Sequence, residues 1–348
     1  MRRSLIFGFL VILLSLPVRA MDFQAPPPPQ SAQAIMPKEA DSFGEGLWHV
    51  TAEATELLAP SLTEAASCCL RVFAAILLIA MIGQFSGNLS VSAMDLAGAA
   101  AVGSLLLGPS ASMIELGIST VESLRQYGLL LLGVLTSALA AAGGVTSATA
   151  LYAGTAIADA FLGSAVSALF VPMLWMFLTL AVGQAAASSK LLEKLKTLIG
   201  KLMEWILKGT LTLFTAYMTV TGIVSGTADA AAGKAARIAL SGAVPVVGGI
   251  LSDAADAVLL SAAALGGGAG VWGILTILAL FCAPAVRIGC QYLLLKLTAA
   301  VGESIGGSRC ASLISDFASA MGLLMALVCT QTLLLLISAV CILRGVGG

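Results

Sequence analysis

The sequence predicts an all-α polytopic membrane protein: a bundle of about seven to ten membrane segments with discontinuous or re-entrant helices and one amphipathic interfacial helix. Hydrophobic residues make up 59% of the 348 residues and charged residues 10%, whereas a soluble domain is about 25% charged. Apolar runs follow one another closely from Arg71 to Arg344. Only one stretch between them, residues 188–209, is rich in lysine. Together these observations indicate an integral membrane protein.

Residues 1–20 have the pattern of a signal peptide. Arg2 and Arg3 precede an apolar run, and Val18 and Ala20 are small residues at the spacing of a cleavage site. An uncleaved signal anchor is the alternative, although the apolar run is shorter than the ~20 residues of a full span. Under both interpretations the segment that follows lies outside the cytoplasm.

Residues 21–66 form a predicted acidic extracytoplasmic leader. Against a single Lys38 it carries Asp22, Glu39, Asp41, Glu45, Glu53, Glu56 and Glu64. The proline run QAPPPPQ predicts an extended linker from Ala25 to Ser31. From Ala40 onward, apolar residues at helical spacing predict a short amphipathic helix that leads into the first span. A solvated leader with no binding role is the alternative.

Residues 67–348 form the predicted polytopic membrane domain. Its plausible apolar cores are Val72–Phe85, Leu96–Met113, Leu129–Ala142, Leu151–Phe170, Val171–Val182, Leu211–Val224, Ile238–Leu260, Val271–Ala285, Ile288–Val301 and Met321–Leu343. Several of them are shorter than a bilayer crossing. Short apolar segments interrupted by glycine are typical of discontinuous or re-entrant helices that line a site.

The lysine-rich stretch SSKLLEKLKTLIGKLMEWILKG, residues 188–209, predicts an amphipathic helix that lies in the membrane interface. One face holds Leu191, Leu195, Leu198, Leu202 and Ile206, and the opposite face holds Lys190, Lys194, Lys201, Glu204 and Lys208. Its lysine excess predicts the cytoplasmic side of the membrane. An odd number of crossings must then separate it from the leader, and the five cores between Val72 and Val182 satisfy this parity. The alternative is a coupling helix packed on a cytoplasmic partner such as an ATPase.

A second distinctive stretch is SGAVPVVGGILSDAAD, residues 241–256. Backbone broken by Pro245, Gly248 and Gly249 is tolerated within a membrane only beside protein or water. Asp253 and Asp256 follow the break and share one face of a helix. These five residues are therefore candidates for a hinge or a pore lining. Capping of a new helix is the alternative role for Asp253, because acidic side chains are favoured at a helix N-terminus.

Other charged and small residues in apolar surroundings suggest a tightly packed bundle. The ionisable ones are Asp95, Asp159, Asp229, Lys234, Arg237, Asp253, Asp256, Arg287, Lys296 and Asp316. Such groups usually face a bundle interior, an aqueous cavity or the interface. GxxxG pairs occur at Gly83 and Gly87, Gly222 and Gly226, Gly266 and Gly270, and Gly302 and Gly306. These pairs predict close helix packing, and an oligomer is consistent with them.

The residues present do not favour an enzyme, a metal site or a cofactor. His49 is the single histidine, and the seven cysteines show no CxxC spacing. An intramembrane aspartyl protease would use Gly-x-Gly-Asp, which the stretch from Gly248 to Asp253 does not match. No phosphate-binding glycine loop is present. A net charge of −1 gives no indication of a nucleic-acid partner.

Several segments in this order resemble the stage III sporulation protein AE family. They are AAAGGVTSATALYAG (140–154), the lysine-rich amphipathic helix, VTGIVSGTADAAAGKAARIALSGAVPVVGGILSDAADAV (220–258) and SLISDFASAMGLLMALV (312–328). The resemblance extends from about Leu70 to Gly348 and is most specific in the PVVGG-x-LSDA core. The leader shows little resemblance to this family.

This resemblance implies a multi-pass protein of the mother-cell membrane that surrounds the forespore, within a transcellular channel or secretion-like complex required for endospore formation. It implies an oligomer with other mother-cell membrane and ring-forming channel proteins, an ATPase partner and a forespore membrane partner across the intermembrane space. It supplies no catalytic residues. An ion-coupled small-molecule transporter, with the acidic pair as its binding site, is the alternative function.

Overall fold

A computed structural model describes residues 25–37, 43–85, 91–141, 145–187, 189–220, 268–304 and 308–347. Within these ranges the regular structure is entirely helical. The elements are α1 (Gln30–Gln33), α2 (Phe43–Glu56), α3 (Leu58–Phe85), α4 (Val91–Ala141), α5 (Val145–Ala165), a π-helical turn (Val166–Phe170), α6 (Val171–Ala187), α7 (Lys190–Val220), α8 (Gly268–Ser304) and α9 (Ser308–Gly347).

Five helical stretches in this part of the chain are long and apolar enough to cross a membrane. They are Phe43–Ile82, Leu96–Ala141, Tyr152–Ala187, Gly270–Ser304 and Arg309–Leu343. An all-helical fold with five candidate membrane spans is therefore confirmed for the described residues. The predicted number of segments and their re-entrant character are not, and the core predicted at Ile238–Leu260 lies outside the described residues.

Neighbouring apolar cores join into single long helices. The two cores predicted on either side of residues 114–128 both belong to α4, which has 51 residues and contains Pro109. At a rise of ~1.5 Å per residue this helix is about 76 Å long, more than twice the ~30 Å hydrocarbon core of a bilayer. Its charged middle stays helical because Arg125 neutralises Glu122 one turn away, with the Nη2 and Oε1 atoms 2.7 Å apart. The two cores predicted between Val271 and Val301 likewise join in α8, across Pro284.

Side-chain contacts give the directions of the helices. Ile79 of α3 lies against Gly98 near the start of α4, so α3 and α4 form an antiparallel pair. The next helical run, α5 to α6, is antiparallel to α4, because Arg125 lies at Gly163 and Val182 lies at Gly103. Helix α7 then returns along α6 and α5.

The leader and the lysine-rich start of α7 therefore lie at opposite ends of the bundle. Three helical runs, α2–α3, α4 and α5–α6, separate them. The predicted count of five cores does not correspond to five separate helices, and the membrane topology stays a prediction.

Helix α9 occupies the centre of the bundle. It packs against α4, α5, α6, α7 and α8. Of the 18 residues in its most apolar stretch, 72% are buried. The corresponding stretch in the run of α2 and α3 has 28% of its residues buried. Leu324 and Leu335 of α9 fill the spaces beside Gly117 and Gly128 of α4. The position of α9 is thus set by leucines fitted against glycines.

This leucine-on-glycine packing differs from the predicted GxxxG pairing. No predicted pair lies with both glycines in the described residues, so the pairing itself stays a prediction. Gly302 contacts Ile76 and Ala311, and Gly270 contacts Leu343. Close approach in the described bundle therefore depends on single glycines facing large side chains.

Part of the leader packs on the bundle, although many of its described residues are exposed. Ala32, Ile35 and Met36 are buried, and α1 and α2 both contact α8. Leu275 of α8 fits beside Gly46 of α2. The predicted linker is extended only to Pro29, because residues 30–33 form a helical turn. The predicted amphipathic helix is confirmed as α2, and the domain boundary proposed at residue 66 falls within α3.

Candidate functional site

The sequence-predicted site divides into two parts. Pro245, Gly248, Gly249, Asp253 and Asp256 lie outside the described residues, and their role stays a prediction. The lysine-rich stretch is described and belongs to α7. Its helix does not end at Gly209 as predicted but continues to Val220, and it includes most of the core predicted at Leu211–Val224.

Helix α7 has three faces where two were predicted. The lysine face is largely exposed, with Lys190, Lys194 and Lys201 open and Lys208 half-buried. The leucine face is also exposed: Leu191 to 66%, Leu198 to 63% and the adjoining Trp205 to 72%. A third face, with Lys196, Met203, Leu207, Thr210 and Phe214, is buried against the bundle.

The three faces lie roughly 120° apart around the helix. A helix at the rim of a membrane bundle requires this arrangement, because it meets protein, lipid and water at once. Trp205 lies between the leucine and lysine faces, and tryptophan is enriched at the boundary between lipid and water.

The buried face of α7 forms one side of a lysine–aspartate cluster, which consists of Lys196, Lys296, Ser315, Asp316 and Ser319. Lys196 Nζ of α7 lies 2.6 Å from Asp316 Oδ2 of α9, with the two side chains 10% and 17% exposed. Lys296 Nζ of α8 donates to Ser315 Oγ at 3.0 Å and to Ser319 Oγ at 3.3 Å. The cluster thereby joins α7, α8 and α9 through charged and polar groups.

An aspartate–glutamine cluster lies farther along α9 and consists of Glu122, Arg125, Asp159 and Gln331. Gln331 Nε2 of α9 donates a hydrogen bond to Asp159 Oδ1 of α5 at 2.8 Å. Asp159 is 2% exposed and Gln331 is 1% exposed. On α4, Arg125 donates from Nε and Nη2 to the two carboxylate oxygens of Glu122, at 2.9 and 2.7 Å.

Hydroxyl groups extend this polar surface of α9. Thr155 Oγ1, one turn before Asp159, donates to Ser338 Oγ at 3.1 Å, and both residues are fully buried. Thr330 and Thr332 on either side of Gln331 donate to carbonyls within α9. Polar side chains thus lie on α9 in two groups, at residues 315–319 and 330–338, which the apolar residues 320–329 separate.

The helix that carries Asp159 is irregular close to this residue. Its α-helical pattern changes to a π-helical turn at Val166–Phe170, and Pro172 follows at the start of α6. Proline removes a backbone donor, and π turns within α-helices often occur at functional sites. The backbone of the helical run that carries Asp159 can therefore adjust at this turn.

Side chains of the types that bind metal ions are dispersed in the described part of the chain. Among the described residues, no group of three or more His, Cys, Asp or Glu side chains could hold a metal ion. The seven cysteines are all buried or half-buried. The polar side chains instead pair with one another across helices.

Sequence reasoning found some of these residues and missed others. Asp159, Asp316, Lys296 and Arg287 were predicted to face a bundle interior, an aqueous cavity or the interface. The first three are buried or half-buried, and Arg287 is exposed. Lys196 and Gln331 were missed. Lys196 was the one lysine of the stretch that fits neither predicted face, and Gln331 stands in TQT, a polar triplet within an apolar run.

Comparison with known proteins gives a consistent assignment. The family model described as stage III sporulation protein AE matches residues 47–347. The stage III sporulation protein AE of Bacillus subtilis (strain 168) is 21% identical over 194 residues, which cover 56% of this chain and 49% of that protein. The match thus spans about half the length of this curated relative. No solved structure matches the chain.

The resemblance inferred from residues 70–348 is confirmed, and the match begins earlier, within α2. The last part of the leader is therefore included in the family region. Because the family model covers most of the sequence, the chain belongs to the stage III sporulation protein AE family.

Proposed function

We propose that the protein is a membrane subunit of the channel or secretion-like complex that joins the mother cell and the forespore during endospore formation. Membership of the family gives it a role in sporulation. The observation that carries the finer proposal is the two groups of polar side chains on α9, at residues 315–319 and 330–338, inside a bundle of apolar helices. A conduit through a membrane needs such an interior, because polar groups are costly in contact with lipid.

The faces of α7 support a position at the membrane boundary. We place its lysine face on the mother-cell cytoplasmic side, where an ATPase partner of the complex would bind. Exposed lysines suit both anionic lipid headgroups and an acidic protein surface. The leader, at the opposite end of the bundle, would then face the intermembrane space and the ring-forming and forespore partners.

Residues 241–256 supply the mouth of the conduit in this proposal. A break at Pro245, Gly248 and Gly249 would let a discontinuous helix end beside water or protein. Asp253 and Asp256 would then present negative charge to the cargo.

Thiol accessibility tests the orientation directly. Lys194→Cys should react with a membrane-impermeant thiol reagent applied from the mother-cell cytoplasm, and Glu53→Cys should react only from the other side. Native cysteines contribute little background because those described are buried or half-buried. Labelling of Lys194→Cys from the leader side alone would contradict the proposal.

Charge removal at the acidic pair tests the conduit. The Asp253→Asn and Asp256→Asn double variant keeps the size and the capping ability of both side chains. We expect normal membrane abundance with reduced forespore gene expression and reduced sporulation. Unchanged sporulation at unchanged abundance would leave helix capping as the role of the pair.

Ion-coupled transport of a small molecule is the second candidate, favoured by Asp159. Carboxylates within membrane bundles are frequent at ion-coupling sites. Transport by the purified protein alone in lipid vesicles would support this candidate, because a subunit of a larger channel should transport little without its partners.

A further inference from the structure

Two aspartates, Asp316 on α9 and Asp159 on α5, lie within the bundle, and their partners differ in charge. Asp316 meets the ammonium group of Lys196 at 2.6 Å. Asp159 meets the neutral amide of Gln331 at 2.8 Å. Among the described residues, no ion pair reaches Asp159, since the three that occur are at Arg125, Lys196 and Lys208.

Charge balance assigns different protonation states to the two groups. In the aspartate–glutamine cluster, Arg125 is already neutralised by Glu122 through two hydrogen bonds. An ionised Asp159 would leave the cluster with one excess negative charge, whereas a protonated Asp159 leaves it neutral. A buried carboxylate without its own cation is strongly disfavoured. In the lysine–aspartate cluster, by contrast, two cations, Lys196 and Lys296, act on Asp316, so the ionised form of Asp316 is favoured.

We propose that Asp159 is an intramembrane proton-binding site, which carries a proton at neutral pH and exchanges it when α5 moves against α9. Oδ1 accepts the hydrogen bond of Gln331, so Oδ2 carries the proton. The site takes a proton and not a metal ion, because its other groups are an amide and an Arg–Glu pair. This inference does not depend on the proposed channel role.

The residues around Asp159 indicate how loss of its proton would alter the packing of the helices. Arg125 and Glu122 on α4 both act electrostatically on Asp159, and the Arg125 side chain lies beside Gly163, one turn along α5. Loss of the proton would attract Arg125 from Glu122 toward Asp159, because the new charge would otherwise be unpaired. The π-helical turn at Val166–Phe170 gives α5 room to adjust. Proton release would therefore be coupled to the packing of α4, α5 and α9.

Infrared difference spectroscopy on the purified full-length protein tests the proposal. Asp159→Asn should remove a carbonyl band of a protonated carboxyl at neutral pH, and wild-type protein should lose this band only in alkali. The matched variant Asp316→Asn should remove carboxylate bands instead. Loss of carboxylate bands in Asp159→Asn at neutral pH would overturn the proposal.

A second measurement uses the wild-type protein, so it does not require any variant to fold. Dicyclohexylcarbodiimide enters lipid and reacts with protonated carboxyls, and the neighbours Ile157 and Phe161 are 70% and 57% exposed on the outside of α5. Wild-type protein at neutral pH should carry label on Asp159 and little or none on Asp316, because only a protonated carboxyl reacts. Equal labelling, or protection of Asp159 by sodium ions, would overturn the proposal.

Discussion

The lysine–aspartate cluster and the aspartate–glutamine cluster each hold one aspartate, on α9 and on α5 respectively, but they stabilise it by different means. Asp316 lies near the start of α9, where amphipathic α7 can supply Lys196 from a helix that also carries an exposed lysine face. Asp159 lies farther along, where α9 offers Gln331 and the nearby arginine is already paired. A buried carboxyl therefore receives a cation at the edge of the bundle and an amide in its interior. The difference predicts different responses to substitution.

The largest effect is expected at Lys196. Lys196→Met leaves Asp316 without its cation in a mostly buried position, which typically costs about 3–5 kcal/mol. Lys194→Met on the exposed face should change stability by less than about 0.5 kcal/mol. Thermal unfolding of the full-length protein in detergent measures both. Equal melting temperatures for the two variants would contradict the prediction that the buried lysine contributes more to stability than the exposed one.

A smaller effect is expected at Asp159, and it depends on the replacement. Asp159→Leu leaves the Gln331 amide buried and unpaired, at a cost of about 1–3 kcal/mol. Asp159→Asn keeps a polar partner of the same size and should cost less than about 1 kcal/mol. Asp316→Asn should be the more harmful of the two asparagine variants, because Lys196 then loses its counter-ion. The opposite order in the same unfolding assay would contradict the assigned charges.

The smallest effect is expected where packing sets the position of α9. Gly128→Ala adds a methyl group against Leu335, one turn from Gln331, and overpacking of this kind costs about 1–3 kcal/mol. The gain in helix propensity offsets up to ~1 kcal/mol of that cost. Gly133→Ala on the same helix meets no atom within 4 Å and receives only the gain. Greater stability of Gly128→Ala than of Gly133→Ala would show that Leu335 does not fill this space.

Much of the fold followed from composition and periodicity, because lipid restricts the possibilities to helices. The amphipathic character of residues 188–209, the helix from Phe43 to Glu56 and the interior position of Asp159 were all predictable. The number of helices was not, since local hydropathy marks the polar middle of α4 as a break although Glu122 and Arg125 neutralise each other there.

The pairing of the buried charges was also beyond sequence reasoning. Lys196 and Asp316 are 120 residues apart, and Asp159 and Gln331 are 172 residues apart. Only the packing of α9 among its neighbours brings these side chains together. Helical periodicity does identify Lys196 as the lysine that turns inward, but it does not identify its partner.

A pair of double-mutant cycles tests the difference between the two clusters most directly. One cycle combines Lys196→Met with Asp316→Leu, and the other combines Asp159→Leu with Gln331→Leu, in the purified full-length protein. We expect a coupling free energy of about 2–3 kcal/mol for the ion pair and about 0.6 kcal/mol for the hydrogen bond between neutral groups. Equal coupling in the two cycles, or stronger coupling between Asp159 and Gln331, would contradict the account.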